Sequence, residues 1–343
     1  MTAYEQTREK LSAAPKTWLI TGVAGFIGSH LMEALLQLNQ RVVGLDNLIT
    51  GHRRNLEEVR RNVSPKQWAG FTFLEGDILD QPLCRRACAH VDYVLHQAAL
   101  SSVPRSIENP IRTNEINITG CLNMLLAALD QKVKRFVYAS SSSVYGNASS
   151  PGNAEANTGQ PLSPYALTKL VNELYAGIFA RNYGLGTMGL RYFNVFGPRQ
   201  DPSGPYAAVI PTWVNALLSK KPVHINGDGS TSRDFCYVAN IVQANLLAAT
   251  SENPDAVNRV FNVANGGRTS LNNLYGMLQG RLASAHPHVR DCRPVHLPFR
   301  AGDILHSQAD ISLAQQLLGY LPTHTVEQGL EPTLEWYRSL TVA

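Results

Sequence analysis

The chain has 343 residues, 44% hydrophobic and only 16% charged, which supplies a sizeable core and argues against disorder. Its formal charge of +4 is spread over scattered pairs such as Arg53-Arg54, Arg60-Arg61, Arg85-Arg86 and Lys220-Lys221, so a nucleic-acid track is not expected. Five cysteines with no Cys-x-x-Cys, no apolar leader core and no apolar run of spanning length predict a soluble, cytoplasmic protein with reduced thiols, no metal site and no membrane partner.

In chain order, residues 1–16 form an N-terminal extension. "TWLITGVAGFIGSHLMEALLQLNQRVVGLDN" then reads as one βαβ unit. Trp18 to Thr21 is a short apolar strand, and Gly22, Gly25 and Gly28 punctuate a turn. Leu31, Leu35, Leu36 and Leu38 recur at helical spacing, and Arg41 to Leu45 is a second buried strand. The alternation continues with strands in 71–77 and 91–99, and a helix around Cys84 to Ala89 lies between them. A helix over 114–132, a strand at 135–140, a long amphipathic helix over 165–184, and a strand with its loop over 186–197 follow. Repeated βα units predict an α/β fold, a doubly wound parallel sheet of the Rossmann type. After Gly197 the texture turns Pro- and Gly-rich, which predicts a smaller α/β lobe from residue 196 to 343, with part of 234–265 returning to the first domain.

"TGVAGFIGS" is Gly-x-x-Gly-x-x-Gly between a strand and a helix. Glycines there permit positive φ and close backbone approach, and the helix N-terminus offers free N–H groups to a pyrophosphate. Asp46 ends the next strand, where a carboxylate accepts from ribose hydroxyls and repels an extra phosphate. NAD is therefore the expected cofactor. Gly22, Gly25, Phe26, Ile27 and Gly28 would form its phosphate turn, with Asp46 and Asn47 behind. Asp77, Ile78, Gln97, Ala98 and Ala99 follow the next two strands and would line the same crevice. Asp77 reads equally well as a helix N-cap.

Tyr165 and Lys169 stand four apart in "SPYALTK", on one helical face, with Ser163 placed to cap and Pro164 to start the helix. A tyrosine titrates near pH 10, and a nearby ammonium together with a positive nicotinamide would lower it toward use as a base. The run Ser140 to Ser143 ends the preceding strand in "YASSSSVYG". Its hydroxyls can hold a reacting oxygen or relay a proton.

The stretches "TGVAGFIGS", "LDN", "GD", "QAA", "SSSSVYG", "YALTK" and "RYFNVFGPRQDP" together resemble the extended short-chain dehydrogenase/reductase family, in its nucleotide-sugar 4-epimerase branch. The resemblance covers nearly the whole chain. It implies Ser141, Tyr165 and Lys169 as catalytic residues, Tyr192 beside the cofactor and a structural Tyr145. Sister 4,6-dehydratases carry a carboxylate before the "VYG" tyrosine. Here Ser142 and Ser143 stand there and are expected to face the cleft, which disfavours dehydration.

The resemblance further implies a UDP-sugar substrate. Arg233 and Arg300 would hold the diphosphate, Asp303 the uridine ribose and Asn194 the sugar phosphate. Ala208, Val209 and Asn226 would frame the uracil. Ser307 occupies the position where a tyrosine excludes an N-acetyl group, and Ser102 lies in "AALSSVPRS", which matches the branch preferring acetylated sugars. UDP-N-acetylglucosamine 4-epimerase is the expected activity. UDP-glucose or UDP-N-acetylglucosaminuronate 4-epimerase, or a non-catalytic NAD sensor, are the alternatives. A homodimer through the helices at 114–132 and 165–184 is expected.

Overall fold

The computed structural model describes residues 1–146, 154–202, 207–299 and 305–341. Six strands come from the first part of the chain: β1 (Thr17–Thr21), β2 (Arg41–Asp46), β3 (Phe71–Glu75), β4 (Tyr93–His96), β5 (Arg135–Ser141) and β6 (Thr187–Tyr192). With a late strand, Val260–Val263, they form a seven-stranded sheet. Its order is Val260–Val263, β6, β5, β4, β1, β2, β3, and every pairing is parallel. Both faces are covered, so the central strands are apolar along their length rather than alternating; β4 and β6 are buried at every residue.

One face packs around Trp18, Leu31, Leu35 and Phe261, the other around Leu19, Met124, Phe136 and Phe179. The strand order reverses between β1 and β4, the point where open α/β sheets leave a crevice. Pairing registers Thr21 with His96, and Ser141 with Tyr192, so the carboxyl ends of the strands lie along one edge.

Two elements differ from expectation. The extension at 1–16 contains a helix, α1 (Ala3–Ala13), closed by a capping box between Thr2 and Glu5. It buries Leu11 and packs on the Val238–Thr250 helix. Gln40 ties it down: its amide donates to the carbonyls of Leu11 and Leu38, and its oxygen accepts from Lys16 and the Trp18 indole.

The helix expected over 114–132 begins at Pro110 and passes through a π turn, Glu115–Gly120, before Cys121–Asp130. The wide turn presents Asn117, which bonds both backbone groups of Leu100 and donates to Thr168 Oγ1. The strand and loop expected over 186–197 divide at Tyr192. Asn194 takes φ +30, and the chain leaves the sheet to pair Val195–Phe196 with Cys236–Tyr237.

Past that crossing a second, smaller core forms around Trp213, Leu217, Ile225, Leu278 and Leu334. It is built from the helices Val209–Leu218, Leu271–Leu282 and Val326–Thr341 with two-stranded pairs beside them. No helix among the described residues is long and apolar enough to cross a membrane.

His96, at the end of β4, is buried, and its Nδ1 lies 2.8 Å from Thr21 Oγ1. Burial, then the charge of Lys169, pushes it down to about 3. A depressed histidine contributes stability that is present above its unfolded value near 6.5 and is lost as pH falls toward 3. Between pH 7 and pH 4 this linkage is expected to remove about 3 kcal/mol. Urea unfolding across that range should show His96→Asn losing that much less than the parent.

Candidate active site

Gly22 opens the turn after β1 at φ +71, and a Cβ there would stand 2.9 Å from the Ala98 nitrogen. A Cβ on Gly28 would stand 2.0 Å from the Gly22 oxygen, so only glycine lets the next helix, α2 (Phe26–Gln37), approach the turn. Gly25 is its N-cap and supplies no side-chain cap. The first-turn N–H groups of Phe26, Ile27 and Gly28 are left for an anion. These residues line a cleft of about 500 Å³ at the sheet's switch point.

Asp46 lines the same cleft at the end of β2. Its two oxygens accept from the backbone nitrogens of Ala24 and Leu48, at 2.9 and 2.8 Å. Burial raises its pKa, and those two bonds pull it back. Asn47 also lines the cleft and donates to Asp77 at 2.9 Å. Asp77 is not the helix N-cap; Asp80 accepts from Leu83 in that role, while Asp77 closes a short turn onto Leu79. Asp77 itself is outside the lining and meets the cleft through Asn47.

Ile78, Gln97, Ala98, Ala99 and Tyr192 line the floor. Tyr192 donates to Gln97, whose amide reaches Asn245, and Asn245 donates back to the tyrosine oxygen. That closed triangle fixes three polar groups under the cleft. The turn, the cradle and the acid fit a dinucleotide.

Opposite them, Ser163 caps the Pro164–Tyr183 helix and Pro164 begins it. Tyr165 and Lys169 project from its first two turns into the cleft, where Ser141 ends β5. Ser141 and Tyr165 both line the cleft, close enough for the serine hydroxyl to lower the phenol's pKa. Lys169 donates to the Ala139 carbonyl at 2.8 Å, and its nitrogen stands 5.9 Å from the Tyr165 ring centre.

Burial raises the tyrosine above its ordinary value and the serine hydroxyl pulls it down. Burial lowers Lys169 to about 8. In the chain by itself burial outweighs the lowering of Tyr165 by Ser141, and Lys169 donates to a carbonyl, so the lowering expected from the ammonium and the nicotinamide together needs the second of the two.

Ser142 and Ser143 do not line the cleft as expected. After Ser141 the chain folds into one 3₁₀ turn, Ser142–Tyr145, which ends the strand alternation. Ser143 instead donates from both its nitrogen and its hydroxyl to Ser141 Oγ, at 3.2 and 2.9 Å. Ser102, Asn194 and Ala208 line the cleft; Val209, Asn226, Arg233 and Ser307 are outside its lining. Val209 joins the core of the second lobe, Asn226 ends a strand pair with Leu297, Arg233 donates to the Ser232 carbonyl, and Ser307 donates its N–H to the Ser232 carbonyl. Arg300 and Asp303 lie outside the described residues.

The cleft has a wall that the sequence reading left without a role. The segment Gly197–Asp201 crosses from the second lobe onto α2 and the Arg53–Asn62 helix. The Pro198 carbonyl accepts from His30 Nε2 at 2.9 Å, which leaves His30 Nδ1 to accept from Arg199 at 2.7 Å. Buried Arg199 also meets Glu33 at 2.6 Å. Asp201 meets His52 at 3.0 Å, and His52 in turn donates its N–H to the Ala24 carbonyl of the phosphate turn. Arg199, Gln200 and Asp201 all line the cleft. Ser102, Asn194 and Arg199 hold positive φ along its walls, a strain characteristic of constrained sites. The only sequence signal for this strap was the motif "GPRQD", which carries no periodicity.

Among the described residues no cluster of His, Cys, Asp and Glu could hold a metal ion.

The model of the NAD dependent epimerase/dehydratase family matches residues 18–264. A UDP-N-acetylglucosamine 4-epimerase from Methanobrevibacter ruminantium M1, solved with UDP-N-acetylmuramic acid, is 38% identical over 95% of this chain and 99% of its own, with a TM-score of 0.86. UDP-glucose 4-epimerase of Thermotoga maritima, solved with UDP-glucose, is 36% identical over 95% and 99%, at 0.84. UDP-glucuronic acid 4-epimerase of Bacillus cereus, solved with UDP-glucuronic acid and NAD, is 30% identical over 94% and 99%, at 0.82. With a dinucleotide cleft at its switch point, and matched along nearly its whole length, the chain belongs to the NAD dependent epimerase/dehydratase family, and NAD is its cofactor.

Proposed function

We propose that this NAD-dependent UDP-sugar 4-epimerase interconverts UDP-N-acetylglucosamine and UDP-N-acetylgalactosamine through a 4-keto sugar. The observation that carries the chemistry is that Ser141, Tyr165 and Lys169 line the dinucleotide cleft together, with Lys169 one helical turn beyond Tyr165. NAD, when bound, supplies the hydride acceptor and donor for C4. Tyr165 takes the proton of the 4-hydroxyl as that carbon is oxidised and returns it after the sugar has turned. Ser141 holds the reacting oxygen in line with the tyrosine, and Ser143 holds Ser141. A bound cation beside the phenol would complete the lowering that Lys169 alone does not provide.

The lobe beyond Phe196 would carry the nucleotide. Asn194 and Ala208 already stand in the cleft wall. Arg233 and Arg300 on the diphosphate, Asp303 on the ribose, and Val209 and Asn226 near the uracil complete the reading by resemblance. Preference for the acetylated sugar is supported by the small Ser307, by Ser102 in the wall, and by 38% identity to a relative of that activity.

We also propose a homodimer. The Pro164–Tyr183 helix leaves Leu167, Leu174 and Ile178 exposed on one stripe, and Ile107 and Ile111 are exposed on the short helices before the π turn. Solitary stripes of this kind mark association surfaces.

Without added NAD, the purified protein should interconvert UDP-N-acetylglucosamine faster than UDP-glucose or UDP-N-acetylglucosaminuronate. Turnover of UDP-glucose alone would refute the sugar assignment. Tyr165→Phe should lose at least about 1,000-fold in kcat while retaining bound NAD; full activity would sink the mechanism. Ser307→Tyr should cut turnover of acetylated sugars about tenfold or more and spare UDP-glucose, since overfilling a pocket costs about 1–3 kcal/mol; an unchanged preference would place the discriminating contact elsewhere. Leu174→Glu with Ile178→Glu should give monomers in sedimentation velocity.

A further inference from the structure

The helix bearing Tyr165 and Lys169 carries a third polar residue on the same face. Glu173 lies one turn beyond Lys169 and two beyond Tyr165. Each of the three reaches a different residue of β5. Tyr165 meets the Ser141 hydroxyl, which lowers its pKa, Lys169 donates to the Ala139 carbonyl at 2.8 Å, and Glu173 Oε1 accepts from Ser140 Oγ at 2.5 Å. Three successive turns thus meet three consecutive strand residues, and hydrogen bonds pin the second and third of them.

Glu173 is itself held from the neighbouring strand. Arg191 on β6 donates to both its oxygens, from Nε at 2.9 Å and from Nη2 at 2.7 Å. The pair is almost wholly buried, at 4% and 7% side-chain exposure. The remaining guanidinium nitrogen, Nη1, donates to the Tyr145 hydroxyl and the Glu155 carbonyl, both at 3.0 Å. The Tyr145 hydroxyl donates to Asn262 Oδ1, on the edge strand, at 2.6 Å. The network therefore links the 3₁₀ turn after Ser141, the helix carrying Tyr165, β6 and the last strand of the sheet. Glu173 is not in the cleft lining.

We infer that Glu173, held by Arg191 and bonded to Ser140, is a positioning residue for the epimerisation: it sets the register of the Tyr165 helix on the strand that presents Ser141. A buried bidentate pair is a poor device for stability alone, because well-packed apolar residues of similar volume often match it. Its fixed fork does impose one geometry. Displacing a reacting group by about 1 Å costs about 100-fold in rate. The inference rests on the UDP-sugar 4-epimerase reading.

The test is steady-state kinetics of the full chain with its bound NAD, on the best UDP-sugar. The variants are Ser140→Ala and the charge-neutral double Glu173→Leu with Arg191→Met. The double variant is expected to keep its NAD content and to hold KM within about threefold, while kcat falls about 10–100-fold. Ser140→Ala removes one hydroxyl, leaves the ion pair whole, and should lower kcat about threefold to tenfold with KM unchanged. A double variant that folds, holds NAD and keeps kcat within twofold overturns the inference. So does a rise in KM with kcat preserved, because ground-state binding would then be what the network serves. Should the double variant fail to fold, an unchanged kcat in Ser140→Ala overturns it, and a fall in kcat at constant KM supports it. Parent protein silent on every UDP-sugar would instead refute the function reading itself.

Discussion

All else in this molecule follows from the parallel pairing of seven strands. A parallel neighbour cannot be reached by a tight turn, so each strand is followed by a crossover segment, and each strand then ends at the same edge. Thr21, Asp46, His96, Ser141 and Tyr192 are the final residues of five of those strands. They are far apart in sequence and share one rim. Because the order reverses between β1 and β4, the crossovers on either side diverge, and the rim opens into a cleft at that point. The chemistry is installed on an edge that exists for reasons of hydrogen-bond direction.

The chain alone presents a site that is placed but not armed. Tyr165 sits above its ordinary pKa because burial outweighs the serine hydroxyl. Lys169 has been lowered to about 8 by the same burial, with its nitrogen committed to Ala139. Geometry is fixed in advance, while the charge balance that makes a phenol basic depends on what binds beside it. Such a division suits a reaction in which the proton must be returned as readily as it is taken.

Much of this was legible in the residues, for a physical reason. Strands buried on both faces read as apolar runs, and Gly22 and Gly28 mark a turn where a side chain would collide with backbone. The pair Tyr165 and Lys169 was visible because helical spacing converts sequence distance into a shared face. What escaped were features set by tertiary contacts. The π turn at Glu115–Gly120 has the composition of ordinary helix, and only the pull of Asn117 on Leu100 and Thr168 distinguishes it. Ser142 and Ser143 look equivalent to Ser141 in a run of four, yet the strand ends at Ser141 and the turn after it directs them elsewhere. Asp77 and Asp80 are both plausible caps three residues apart, and the register of the helix chooses the second. The strap at Gly197–Asp201 has no period at all.

That strap has a consequence in time. The phosphate turn and its acid lie within the first 46 residues of the chain, whereas Asp201, which closes on His52, comes 149 positions after its partner. At about 5–20 residues per second on a ribosome, the interval is roughly 7–30 seconds. For that period the nascent βαβ units carry the dinucleotide seat with its wall still to be made. The seat for the dinucleotide is thus synthesised well before the strap that walls it, so the wall is the later addition to a pocket whose floor is already encoded.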